Sequence, residues 1–210
     1  PREMILGQIT EPFFIQPTGY VNSFAVRFYP YGFANFIAMH IQKLANKETP
    51  LKVLFEEESV QELTRTIKQA ADTSKRIEMV EAFLLDKLKD KVIIDNIVRT
   101  TIEAILSTRG SATINTILKG DLSRRRQLER KFIKQIGISP KQLGRVIRLQ
   151  TALKMLLNRQ SESLTTIAYE SEYYDQAHFT KDFKEFTGTT PKEFLEDDKM
   201  TLSSLFYKND

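Results

Sequence analysis

The chain has 210 residues, 41% of them hydrophobic, with a formal net charge of +4 and no cysteine. The missing thiols exclude disulfides, thiolate metal centres and cysteine nucleophiles, and no apolar run approaches the roughly 20 residues that span a bilayer. The charge is uneven: residues 1–90 hold 11 basic and 12 acidic residues, 119–159 hold 12 and 2, and 160–210 hold 5 and 11. A basic zone flanked by acidic sequence points to an anionic partner rather than to a uniformly basic surface.

In chain order, Met4–Ile9, Phe13–Gln16 and Asn22–Tyr29 read as short strands, separated by Glu11-Pro12 and Pro17-Thr18-Gly19. Phe24, Val26 and Phe28 alternate with polar or small residues, as in a half-buried strand. Three strands make a poor sheet by themselves, and Pro1 stands where an initiator methionine would be, so the natural protein is expected to begin upstream. A helix is predicted from Phe33 to Asn46. A second, from Ser59 to Ala71, starts on the capping-box spacing Ser59-Val60-Gln61-Glu62, and a third runs from Ser74 to Leu88 with Ile77, Val80, Leu84 and Leu88 on one face. These apolar faces are expected to be core. Phe24, Phe28, Tyr29 and Phe36 are read as core before ligand pocket. A fourth helix covers Val92–Leu106, and Thr108-Arg109-Gly110-Ser111 ends it as a hinge.

From Ser123 to Glu196 one pattern occurs twice. Leu128, Phe132, Gly137, Pro140 and Lys141 recur 51 positions later as Phe179, Phe183, Gly188, Pro191 and Lys192. In each copy a short helix, a tight turn and a second helix precede a glycine suited to a left-handed helix terminus and a proline suited to a first turn. The first copy places Ile114, Ile117 and Leu118 inward, turns at Gly120-Asp121-Leu122, and continues from Ser123 or Arg124 to Gln135. In the second, Leu164, Ile167 and Ala168 face inward, the turn is near Glu172-Tyr173-Tyr174, and Asp175 caps a helix to Phe186. The interval is 50 before the turn and 51 after it, so the turns differ by one residue. Between the copies, Pro140 to Asn158 forms an apolar-faced helix of about 28 Å, close to the ~34 Å between successive major-groove faces of a duplex. The fold class is therefore mainly α: two helix-turn-helix units joined by a long linker helix, preceded by a small partial α+β domain, with the boundary at residue 90/91. Leu128, Phe132, Phe179, Phe183 and Phe186 are expected in the core.

Residues 163–194, together with Arg124–Phe132 and Gly137-Ile138-Ser139-Pro140-Lys141, resemble the signature of AraC/XylS-type transcription regulators over roughly 95–196. Residues 7–90 resemble, less specifically, the end of a β-rich sensor domain. The resemblance implies a bacterial, cytoplasmic regulator that reads double-stranded DNA with two helices. It also admits RNA polymerase, a small-molecule effector and a second copy of the chain as partners, and no membrane. Carried over by position, the first reading helix offers Arg126, Glu129 and Arg130, with Arg124, Arg125 and Gln127 nearby; the second offers Gln176, Ala177, His178, Thr180 and Lys181. Arginine can donate to guanine, glutamate accept from cytosine, glutamine pair with adenine and an alanine methyl touch thymine, while Thr180 and Lys181 can reach phosphate.

The sequence departs from the family at Leu118, where a small alanine is usual, and in the acidity of the second unit at Glu170, Glu172, Asp175, Asp182 and Glu185. The first unit is therefore expected to dominate affinity. Arg124-Arg125-Arg126 opposes the helix dipole at a helix start, a local cost that an anionic partner offsets. His40, without a second histidine nearby, is read as packed or exposed, not as a metal ligand; neither metal nor cofactor is expected. Glu56-Glu57-Glu58 is read as a solvated loop. No nucleophile and base pair or phosphate-cradling loop is present in the sequence, and the expectation is a regulator rather than an enzyme. The alternative is a protein-interaction module that uses its basic and acidic helix faces without sequence-specific DNA binding.

Overall fold

The computed structural model describes residues 3–13, 19–20, 22–88, 94–158 and 163–197. They fall into two compact units: Pro1–Ile9, Asn22–Asp95 and Lys131–Ile138 in one, and Thr10–Val21, Asn96–Arg130 and Ser139–Asp210 in the other.

In the first unit, β1 (Met4–Leu6) pairs antiparallel with β2 (Glu48–Pro50), with Ile5 opposite Thr49. The expected strand at Asn22–Tyr29 is absent, because β1 finds its partner at β2 and leaves that segment without a ladder; Phe28 instead packs on the rings of Phe33 and Phe36 at 5.2 and 5.9 Å. Of the expected strand at Phe13–Gln16, only Phe13 is described, and it is exposed. The continuous helix expected at 33–46 is also corrected. Two 3-10 turns, Gly32–Asn35 and Ile41–Leu44, are separated where His40 is extended (φ −68°, ψ 131°). This break lets Phe33, Ile37, Ile41 and Leu44 converge in one cluster, which a straight helix would have spread along its length.

Two helices follow, α1 (Glu57–Gln69) and α2 (Thr73–Lys87). α1 begins two residues before the expected Ser59, with Glu57 and Glu58 in its first turn, where the helix dipole favours anions. Those residues are thus helical rather than loop. Asp72 caps α2 by accepting from Lys75 N–H. The expected apolar core of α2 is not realised: none of its described residues is fully buried, and Ile77 and Leu85 are exposed.

In the second unit, α3 (Asn96–Ser107) starts later than expected; Val92 and Ile93 lie outside the described residues. α3 buries Val98, Ile102 and Ile105 and packs against α6 (Pro140–Leu157). Two glycines set that crossing. A Cβ on Gly144 would lie 2.8 Å from Gly110 O, and one on Gly110, whose φ is +89°, would lie 2.3 Å from Gly144 O. Arg148 then ties the α3 terminus down by donating to Gly110 O at 2.9 Å.

The two repeated units differ in how far they are built. In the first, α4 (Ile114–Ile117) is one turn long, and Ile114, Ile117 and Leu118 are only half-buried. After Lys119 and Gly120, both at positive φ, a 3-10 turn Leu122–Arg124 leads into α5 (Arg125–Ile136). In the second, α7 (Leu164–Glu170) buries Ile167 and Ala168, and α8 (Gln176–Thr187) buries Phe179, Phe183 and Phe186. Gly188 ends α8 in the left-handed conformation, and α9 (Pro191–Glu196) follows. Phe183 meets Phe179 and Phe194 at 5.7 and 5.4 Å, and these rings join Leu153, Leu156 and Ile167 in one core. Leu128 and Phe132 on α5 are fully buried, as expected. The prolines expected in first turns stand at the starts of α6 and α9, each preceded by a capping box: Ser139 with Gln142, and Thr190 with Glu193.

Candidate nucleic-acid interface

The repeat interval places Arg125, Arg126, Gln127, Glu129 and Arg130 of α5 at the same helical positions as Gln176, Ala177, His178, Thr180 and Lys181 of α8. On both helices the core residues, Leu128 and Phe132 or Phe179 and Phe183, leave the opposite side to the pairs 126/130 and 177/181, each four residues apart. Arg124, Arg125, Arg126, Gln127 and Arg130 are exposed and Glu129 is half-buried; Gln176, Ala177, His178 and Lys181 are exposed and Thr180 is half-buried. Both sets fall in the second compact unit.

Among the described residues, Arg126 and Arg130 make no ion pair. Arg125 Nε donates to Glu129 Oε1 at 3.1 Å, so the glutamate read as a cytosine acceptor is already paired along its own helix. Asp121 accepts from the Ser123 hydroxyl and backbone N–H. These bonds, with the Arg124 charge, hold its carboxyl below the usual range. No acidic residue lies in the first turn of α5. Its positive dipole end and its arginines together favour an anion such as a phosphate.

The start of α8 is arranged differently. Asp175 caps it by accepting from His178 N–H at 2.7 Å, and the same carboxylate bonds His178 Nδ1 at 2.8 Å. The backbone bond, followed by the ring bond, keeps Asp175 below the usual carboxylate range. The imidazole meets the Tyr174 ring edge-on at 5.8 Å, and among the described residues its Nε2 makes no hydrogen bond. Gln176 Oε1 accepts from the Thr165 hydroxyl at 2.7 Å. To read adenine with both amide atoms, Gln176 must share or release that bond.

The acidity counted against the second unit is largely spoken for. Arg145 on α6 donates through Nε and Nη2 to Asp182 (3.1 and 2.9 Å), and through Nη1 and Nη2 to Glu185 (3.0 and 2.7 Å). Its guanidinium lies 4.9 Å from the Phe186 ring centre. The Glu185 carboxyl is held below its usual range, first by the hydrogen bonds from Arg145, while Arg145 is raised by its bonds to Glu185 and Asp182. Arg148 stacks 5.2 Å from the Tyr173 ring, whose hydroxyl is pushed up by burial and by the Asp182 charge. Sequence reading missed this clamp. Its partners are 37 and 40 residues apart, and the only local trace is the spacing of two carboxylates one turn apart on α8. Glu170 and Glu172 are exposed, and no described helix is long and apolar enough to cross a membrane.

Residues 123–197 match the family described as "Helix-turn-helix domain", and residues 1–50 match "Domain of unknown function (DUF6597)". No curated protein matches the chain. Among solved structures, the chain is similar to an apo ToxT variant from Vibrio cholerae at 17% identity and a TM-score of 0.40, over 67% of this chain and 55% of that one. The chain thus spans about half the length of that protein. The match over 123–197, which runs from the turn before α5 through α9, identifies this region as a helix-turn-helix domain.

Proposed function

We propose that the chain is a sequence-specific DNA-binding transcription regulator in which α5 and α8 read two neighbouring major-groove segments, with α5 supplying most of the affinity. The observation that carries this reading is the exposed pair Arg126 and Arg130, free of ion pairs among the described residues, on the side of α5 opposite its buried Leu128 and Phe132. α6 has 18 residues, about 27 Å of helix, which suits the ~34 Å between successive major-groove faces. At the matching positions α8 has Ala177 and Lys181, a methyl and a single point charge, so it supplies fewer donors.

Within the first unit, an open cleft of about 960 Å³ lies among β1, β2 and α1, lined by Met4, Glu48, Val60, Thr64 and Arg65 among others. It is where a small-molecule effector would bind. RNA polymerase and a second copy of the chain are further proposed partners, and the proposed setting is the cytoplasm.

Selection from a random duplex library with the whole chain tests the reading. A recovered motif with two half-sites about one helical turn apart is expected. Recovery of uniform, salt-sensitive binding alone would instead favour a module that recognises anionic surfaces through its basic helix.

A further inference from the structure

We infer that Arg145 is a positioning residue for the second reading helix: by engaging Asp182 and Glu185 from α6, it keeps Lys181 free to meet a backbone phosphate. The inference rests on the DNA-binding reading and gives α6 a role beyond that of spacer.

Lys181 and Glu185 are four residues apart on α8, the separation at which a lysine and a glutamate on one helix face each other and pair. Yet Lys181 makes no ion pair among the described residues, and Glu185 is turned to Arg145, with both carboxylate oxygens bonded at 3.0 and 2.7 Å. The geometry of Arg145 explains why the glutamate is held there. Its Nε and Nη2 form a side-on fork with Asp182, which fixes the guanidinium plane, and its Nη1 and Nη2 then present a second pair of donors to Glu185. One side chain, anchored once, binds two carboxylates, so the second pairing requires little further loss of side-chain freedom. The Arg145 and Asp182 side chains are each 18% exposed, against 52% for Glu185. The first pair is therefore the anchor, and Glu185 is the movable group. Arg148, 3.9 Å from Asp182 and bonded to Gly110 O, supports the anchor from the next turn of α6.

α5 shows what happens without such a partner. Glu129 and Arg125 are also four residues apart, and there the acid pairs within its own helix. Releasing Glu185 from Arg145 would allow the same to happen on α8 and would consume the Lys181 charge.

The test is the salt dependence of binding to a fluorescein-labelled random-sequence duplex, in which each phosphate contact adds about 0.9 to the slope of log affinity against log salt. Lys181→Ala and Arg145→Gln are each expected to lower the slope by about one contact, and Lys181→Ala should lower it no further in the Arg145→Gln background. Glu185→Gln in that background should restore the slope. Restoration also separates this role from direct phosphate contact by Arg145, which Glu185→Gln could not replace. A full slope in Arg145→Gln, or no rescue by Glu185→Gln, overturns the inference. A salt-independent or absent interaction of the wild-type chain with duplex overturns the DNA-binding reading instead. A second arm needs neither DNA nor a folded Arg145→Gln protein: carboxyl titration followed by NMR should show Glu185 raised only slightly by Lys181→Ala, whose charge is the last of the causes that lower it, and raised clearly more by Arg145→Lys. An equal rise in both variants would mean that Lys181 already holds Glu185, which contradicts the inference.

Discussion

The two helix-turn-helix units share a repeat but solve opposite problems. The second is a packed module in which Phe179 and Phe183 of α8 share one buried core with residues of α6, α7 and α9, the acidic residues Asp182 and Glu185 are clamped, and the helix start carries an aspartate cap. In the first, the leading helix is a single turn whose two isoleucines are half-buried, and α5 opens on arginines with no acidic residue in its first turn. Sequence identity at the repeat positions records the shared fold. The differences record how each copy divides its residues between cohesion and contact.

The largest effect that would break this contrast is expected in the second core. Phe183→Ala removes a fully buried ring that contacts Phe179 and Phe194 and should cost about 3–5 kcal/mol. Ile117→Ala in the half-buried α4 should cost clearly less. Urea unfolding with residue-level hydrogen exchange checks both, and equal losses would mean that α4 is as well packed as α8. Next comes the glycine crossing: Gly144→Ala places a Cβ 2.8 Å from the Gly110 carbonyl. Such overpacking costs about 1–3 kcal/mol, partly offset by the better helix propensity of alanine, about 1 kcal/mol. A net fall in the thermal midpoint is expected, and a rise would show that α3 and α6 separate without cost. Ser139→Ala should remove about 1 kcal/mol through loss of the cap, and Thr190→Ala a similar amount, since both helices start from the same box. Here the two copies are alike, and a large difference in unfolding midpoint would contradict that.

The smallest effect is the response to acid. Asp175, Glu185 and Glu193 have folded-state pKa values below their ordinary ones. The stability they contribute is fully present above the usual carboxylate range, near pH 4, and is lost as pH falls through the depressed folded values. In the first unit's turn, Asp121 is depressed in the same sense. Amide exchange in α8 should therefore quicken on acidification more than in α5. In Asp175→Asn, which keeps a capping oxygen, part of that response should disappear; an unchanged acid profile would remove Asp175 as a cause.

Much of the second half of the molecule was legible because local rules and packing agree there. Asp175 caps α8, Gly188 terminates it at positive φ, and Pro140 and Pro191 start α6 and α9. The N-terminal half was less legible. Met4 to Leu6 pairs with Glu48 to Pro50 across more than 40 residues, and nothing in alternation along the chain shows which run will find a partner. The break at His40 follows from four side chains converging in one cluster, a tertiary reason that helical periodicity cannot express. On the candidate interface, the side of α5 and α8 opposite the core could be read from spacing. The occupation of Glu129 by Arg125, of Gln176 by Thr165, and of Glu185 by Arg145 could not.

The central claim is that the first unit carries most of the affinity, and it is tested by measuring duplex binding of Arg126→Ala and Lys181→Ala side by side on the selected motif. Arg126→Ala should cost about 1–3 kcal/mol and relax preference at one base pair, whereas Lys181→Ala should weaken all sequences uniformly and by less. Equal losses, or a larger and sequence-selective loss at Lys181, would contradict the account.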